Sequence, residues 1–317
     1  MTDFLLAGLG LVILLLAGDS LVRGAVNVSL RLGVPALLVS LTVVAFGTSA
    51  PELLIGVSAV LENAPGIAMG NVVGSNTANI LLVLGIPAIV SGLRTDECNT
   101  TKSYVVMLLA SVLFIGICFM GPITWVHGLV LLAALALILG DQTREALAHR
   151  KNGKAAAVEE EEVEGADPEM RWPKILIFLV LGLIGLPLGA DLLVDASTSI
   201  AQRFGVSDTV IGLTLVAIGT SLPELATTVM AALRKQADVA LGNVIGSNMF
   251  NLLAIIGITS LVGTIPVGRE FLTLDLWVML GASLLLGPFV LRGWTMTRTW
   301  GVILTALYVA YLWLIIS

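Results

Sequence analysis

The chain has 317 residues, of which 57% are apolar and 12% charged, with a mean hydropathy of +1.01. A soluble domain carries about twice that share of charge, so the composition excludes a soluble fold. The net charge of −6 comes largely from one segment and gives no sign of a nucleic-acid partner, while two cysteines, Cys98 and Cys118, make neither a disulfide framework nor a metal-ligand spacing.

Apolar runs of roughly 18–25 residues, each long enough to cross a bilayer core, predict an all-α polytopic membrane protein. Its ten transmembrane helices are expected at about 3–30, 35–62, 66–91, 103–120, 122–140, 172–200, 208–234, 238–263, 270–291 and 297–316. The chain starts MTDF, with no basic n-region, and its first apolar segment has no convincing cleavage site, so that segment reads as a span. Within it Asp19 and Arg23 lie i, i+4 and are expected to pair. The second span contains Ala45-Phe46-Gly47-Thr48-Ser49-Ala50-Pro51-Glu52. Proline has no N–H and crowds the carbonyl four residues back, so the carbonyls around Ala45–Gly47 are expected to be free of helix bonds. In the third span Asn71, Ser75 and Asn79 share one helix face, and Gly70 and Gly74 allow another helix close. Trp125 and Trp172 read as interface anchors. Residues 141–171 form the one long polar stretch, with Glu159–Glu162 inside it, and are expected to be a solvated linker. The sixth span carries Asp191 and Asp195 without a local cation and is expected to hold them at its water-facing end. The seventh and eighth spans repeat the second and third: GTSAPE at 47–52 returns as GTSLPE at 219–224, and GNVVGSN at 70–76 as GNVIGSN at 242–248, at a constant offset of 172 residues.

Five spans precede the linker and five follow it. An odd number per half makes the second half (172–317) enter the membrane from the side opposite the first (1–140), so the two five-helix repeats have inverted topology. With the N-terminus outside, thirteen Lys and Arg fall in cytoplasmic connections and two, Arg203 and Arg269, in outside ones. The bias predicts both termini outside and the 141–171 loop cytoplasmic, in an inner or plasma membrane.

Polar groups at membrane depth are costly and mark functional sites. Freed carbonyls, hydroxyls and a carboxylate are hard oxygen donors, suited to Na+ or Ca2+ and ill suited to soft metals. Each half supplies such a set, and two glutamates, Glu52 and Glu224, match one Ca2+ or two or more Na+ with neutral ligands added.

These motifs resemble the two alpha repeats of the sodium/calcium exchanger family within the calcium/cation antiporter superfamily, at the compact size of its prokaryotic members. The resemblance implies an antiporter, not an enzyme, that exchanges Na+ for Ca2+ across the lipid bilayer by alternating access, with no cofactor and no required protein partner. The second, third, seventh and eighth helices would form the ion-binding core, and the first and sixth would slide against it. The resemblance also implies that Glu52 and Glu224 bind both ions, that Thr48, Ser49, Thr220 and Ser221 add ligands with the Ala45 and Ala217 carbonyls, that Ser75 and Ser247 complete sodium sites, and that Asn79 and Asn251 hold the centre. Some members, potassium-dependent ones among them, carry Asp where this chain has Asn251, which argues against potassium cotransport here. A proton/calcium antiporter is the nearest rival and a cation channel a more distant one. The hydroxyl-rich GTS segments favour sodium, and the duplicated broken helices favour alternating access over a pore.

Overall fold

A computed structural model describes residues 2–95, 98, 100–151, 167, 169–205 and 217–316. These fold into helices α1 (Thr2–Leu32), α2 (Ala36–Thr48), α3 (Ala50–Leu61), α4 (Pro65–Ser91), α5 (Thr101–Phe119), α6 (Trp125–Lys151), α7 (Trp172–Arg203), α8 (Ala217–Gly219), α9 (Leu222–Leu233), α10 (Ala237–Val262), α11 (Phe271–Leu291) and α12 (Arg298–Ile316). Among the described residues eight helices are long and apolar enough to cross a membrane, and α2 with α3, bent by 43° at their break, makes a ninth. The expected seventh span is described from Ala217 onward; its first part, and the acidic run Glu159–Glu162, lie outside the described residues.

The internal two-fold is written into the backbone. Gly33 and Gly205, 172 residues apart, both take positive φ (67° and 79°) just beyond α1 and α7, the left-handed turn that glycine accepts without a Cβ clash. Asn63 and Lys235, at the same offset, take φ of 59° and 55° after α3 and α9. Two short β-bridges tie connections of one half to connections of the other: Leu93 exchanges N–H···O bonds with Met296, both 3.0 Å, and Ile123 with Ile265, at 2.8 and 2.9 Å.

Helices α1 and α7 run antiparallel in direct backbone contact. A Cβ added at Gly10 would sit 2.7 Å from the Leu193 nitrogen, and one at Gly182 would sit 2.6 Å from the Leu21 Cβ. Gly10 and Gly182 are repeat mates, as are Leu21 and Leu193, so one contact is the two-fold image of the other. Small residues that let backbones approach are the usual means of helix association in lipid. The most deeply buried helices are α4 and α10, whereas α1, α6, α7 and α12 turn large apolar side chains outward, among them Leu16, Leu137 and Trp313. An exposed apolar surface of this extent is a lipid-facing belt.

Helix α6 continues past the expected end of its span at 140 and stays helical to Lys151. Lys102 of α5 pairs with Asp141 at 2.7 Å and Glu145 at 2.6 Å, one turn apart on α6, and so offsets the repulsion of two like charges at i, i+4. Where the chain returns, Arg31 Nε donates to the Met170 carbonyl at 3.0 Å and the Asp167 N–H donates to Asn27 Oδ1 at 2.9 Å, so the end of the linker docks on α1.

Asp19 pairs with Arg23 at 3.0 Å as its spacing predicts, and it also takes Arg234, at the end of α9, whose Nε lies 2.5 Å from Oδ1. The second pairing joins α1 to α9. Its two-fold image would join Asp191 to Glu62, which are like-charged and both exposed. Asp19→Asn withdraws the carboxylate from Arg234, a residue only 8% exposed. Removing one partner of a buried pair typically costs on the order of 3 kcal/mol. The variant is expected to unfold at a clearly lower temperature in detergent, and an unchanged melting profile would place the pair in a solvent-screened setting.

Candidate functional site

The two breaks are built alike. Ser49 (φ −86°, ψ 6°) and Ser221 (φ −90°, ψ 3°) leave helical geometry, and α3 and α9 start at the next residue with a proline in the first turn. Proline belongs there because its missing N–H would have had no partner. Glu52 and Glu224 thus sit in first turns, where free N–H groups and the helix dipole favour negative charge. The expected release of carbonyls is only partly met. The Ser49 N–H bonds to the Ala45 carbonyl at 3.1 Å, and Thr48 Oγ1 donates to the same oxygen at 3.3 Å, so the Ala45 carbonyl is occupied. The helix survives to Thr48 because the proline falls after the break and does not crowd its last turn. In the second half the Ser221 N–H takes the Ile218 carbonyl at 3.0 Å, a tighter turn than at Ala45.

The glycines of the GTS motifs serve close approach. A Cβ on Gly47 would lie 2.0 Å from Leu183 and one on Gly219 2.6 Å from Val194, both on α7. Gly242 and Gly246 seat α10 on α2: a Cβ on Gly246 would meet the Leu41 carbonyl at 2.7 Å. The neighbours that symmetry assigns to Gly70, at 209 and 212, lie outside the described residues.

The halves interlock at the breaks. Ser49 donates to Glu224 Oε1 at 3.1 Å, and Ser247 Oγ donates to the same oxygen at 3.4 Å. Thr48 Oγ1 donates to Asn243 Oδ1 at 3.2 Å and lies 3.5 Å from Ser247 Oγ; Thr220 Oγ1 donates to Asn71 Oδ1 at 3.3 Å. Asn243 Nδ2 in turn donates to the Glu224 carbonyl at 3.3 Å and to Thr228 Oγ1 at 3.2 Å. Side chains from 48–49 therefore reach 224, 243 and 247 and Thr220 reaches Asn71, whereas the side chains of Glu52, Ser75 and Ser221 make no hydrogen bond to the other half. Four asparagines complete the crossing of α4 and α10: Asn76 with Asn248, Asn79 with Asn248, and Asn251 with Asn76. Sequence reasoning gave Asn76 and Asn248 no role. The third position of the repeated GSN was the signal that could have found them.

Several oxygens here are buried and have no hydrogen-bond partner: both of Glu52, Oε2 of Glu224, Oγ of Ser75 and Ser221, and Oδ1 of Asn79 and Asn251. None of the ion pairs among the described residues involves either glutamate. Buried polar atoms are almost always satisfied; Asn71 Nδ2 is unpartnered as well, but the rest of the set is oxygen, the atom type that a hard cation takes as ligand. Among the described residues no three His, Cys, Asp or Glu side chains group together; the unpartnered set consists of two carboxylates and neutral hydroxyl and amide oxygens. Elsewhere, Asp191 and Asp195 are exposed on α7, and His127 Nδ1 accepts the Thr124 N–H at 3.1 Å at the start of α6, a capping role.

Comparison with known proteins agrees with this architecture. The model of the sodium/calcium exchanger protein family matches residues 2–143 and 174–317. The chain is 34% identical to the sodium/calcium exchanger MaX1 of Methanosarcina acetivorans, over 98% of this chain and 97% of that protein. It is also 34% identical to the putative antiporter CaxA of Alkalimonas amylolytica, over 97% of each. A solved structure of the sodium-calcium exchanger NCX_Mj, soaked with Na+ and Sr2+, superposes with a TM-score of 0.80 at 35% identity, covering 98% of this chain and 97% of that one. The fold is an all-helical membrane fold of two inverted five-helix repeats. Matched in both halves by one family's model, and along almost its whole length by that family's relatives, this chain belongs to the sodium/calcium exchanger protein family.

Proposed function

We propose that this protein is a secondary antiporter that exchanges Na+ for Ca2+ by alternating access, binding both ions between the two helix breaks. The observation that carries the reading is the set of unpartnered buried oxygens around Glu52 and Glu224. Two carboxylates balance one Ca2+; with the ion gone, the same charges and the neutral oxygens suit Na+. Glu52 and Glu224 supply the charge, and Ser49, Ser75, Ser221, Ser247, Thr48, Thr220, Asn79 and Asn251 the neutral ligands. The Ala45 carbonyl keeps the Ser49 N–H and offers its second lone pair once the Thr48 hydroxyl turns wholly to Asn243, and the Ala217 carbonyl is its mate.

Alternating access is supported by unequal packing of equal halves. On one side α1 lies on α9: a Cβ on Gly18 would be 3.0 Å from the Ala226 carbonyl, and Asp19 holds Arg234. The mate of Ala226 is Leu54 on α3, which is 69% exposed. Inverted repeats exchange such arrangements, so the mate packing is the other access state. With the Lys/Arg bias setting the topology, the closed side is cytoplasmic and the open side outside.

Purified protein in liposomes should take up Ca2+ when a Na+ gradient is imposed outward, and should do so without K+. Uptake driven by a pH gradient but not by Na+ would assign the protein to proton exchange, and flux unsaturated in Ca2+ would point to a channel. The topology predicts that a cysteine placed by Glu160→Cys, in a chain with Cys98 and Cys118 replaced, is shielded from an impermeant thiol reagent in intact cells. Labelling from outside would reverse the orientation.

A further inference from the structure

We propose that Asn76 and Asn248 are positioning residues that decide which atom of Asn251 and Asn79 faces the transported ion. The proposal rests on the ion site described above. A carboxamide has two nearly isosteric ends: the oxygen is a cation ligand, whereas the NH2 group repels a cation. Only the hydrogen bonds of the amide decide which end points where.

All four asparagines are 1% exposed or less, so water does not make the choice. The chain of bonds begins at two backbone oxygens, which can only accept. Asn76 Nδ2 donates to the Asn248 carbonyl at 3.2 Å, and Asn248 Nδ2 to the Asn76 carbonyl at 3.3 Å. With their NH2 groups fixed there, each presents Oδ1 in the other direction. Asn76 Oδ1 accepts from Asn251 Nδ2 at 3.0 Å, and Asn248 Oδ1 accepts from Asn79 Nδ2 at 3.0 Å. The NH2 groups of Asn251 and Asn79 are thereby held, and their oxygens are the ends left without a protein partner. A flip of Asn251 would set oxygen against oxygen. Asn79 and Asn251 lie one turn beyond Ser75 and Ser247, at the starts of matching π-helical turns, Asn79–Val83 and Asn251–Ile255. Such turns recur at functional sites. The control is crossed: Asn76 of the first half orients Asn251 of the second, and Asn248 orients Asn79.

The crossing gives a test that simple loss of packing does not mimic. Ca2+ KM is measured in liposomes, and Ca2+ binding by equilibrium binding of radiolabelled Ca2+ to detergent-solubilised protein, for Asn76→Leu, Asn251→Ala, Asn79→Ala and the double variants. Loss of an outer-shell partner typically weakens metal binding roughly 10–100-fold, and Asn76→Leu is expected to weaken Ca2+ by that factor. The effect should nearly vanish in the Asn251→Ala background and persist in the Asn79→Ala background. Asn248→Leu should show the reverse dependence. Unchanged Ca2+ affinity in Asn76→Leu, or equal coupling to Asn79 and Asn251, would overturn the assignment. So would failure of both leucine variants to fold, because that would make the asparagines packing residues. A parent protein that binds Ca2+ but does not exchange it for Na+ would defeat the exchange reading and leave the binding cycle to decide this one.

Discussion

Glu52→Gln and Glu224→Gln are each expected to reduce Na+-driven Ca2+ flux roughly a thousandfold while leaving the protein folded. A unit charge about 4 Å from another is worth about 4 kcal/mol at an effective dielectric of about 20, and a divalent ion feels the loss more than Na+ does. Glutamine keeps the volume and an acceptor oxygen. At 224 that oxygen still receives the hydroxyls of Ser49 and Ser247, so the contact between the halves survives. At 52 no side-chain hydrogen bond is lost, because both carboxylate oxygens lack a protein partner. Replacing a buried carboxylate by an amide also lowers the cost of burial. Thermal unfolding should therefore be unchanged or slightly raised in the variants. Parental flux in either purified variant would move the ion site elsewhere.

Gly246→Ala is expected to damage both the fold and the site. The added Cβ would lie 2.6 Å from the Ala45 Cβ, 2.7 Å from the Leu41 carbonyl oxygen and 3.0 Å from the Leu41 Cα. Two of these three are backbone atoms of α2, which cannot rotate away as a side-chain tip can. Helix α10 must then lift from α2, and it carries Ser247, Asn248 and Asn251 with it. Overpacking a rigid contact costs about 3 kcal/mol at the upper end of its usual range. The variant should express poorly, melt early and lose Ca2+ affinity together. Gly66→Ala, at a position where a new Cβ meets nothing within 4 Å, is the control and should behave as the parent. Equal stability of the two variants would mean that α10 does not rest on α2 as closely as the glycines indicate.

Much of the site was legible because it is written twice. A carboxylate after a proline, in an apolar stretch and at a fixed offset from its copy, has few structural explanations, and the inverted topology follows from the parity of the spans. The function followed from hard oxygen donors together with the family resemblance. Other features depended on neighbours far along the chain. The spacing of Asp19 and Arg23 predicts a local pair; that Asp19 also holds Arg234, 215 positions away, depends on how α1 crosses α9. The Ala45 carbonyl was expected to be free, but the helix holds to Thr48 and breaks at Ser49, so that carbonyl keeps the Ser49 N–H. Gly47 read as a relaxed backbone position, whereas Leu183 of α7 fills the space its Cβ would need.

The sequence by itself determined the class of molecule, the two-fold plan, the residues that break the helices and the chemistry of the donors, because hydropathy, proline geometry and oxygen hardness are local properties that need no partner. The tertiary structure alone decided which oxygens have no protein partner, which end of each asparagine is turned away from its partner helix, and which of two equivalent packings the repeats adopt. The two repeats share a plan but differ in detail, with Ala226 and Arg234 standing where the first half has Leu54 and Glu62, and that difference takes effect only across helices far apart in the chain. That choice is made only when α1 and α7 compete for the core, through contacts such as Gly18 against Ala226 that join residues more than 200 positions apart.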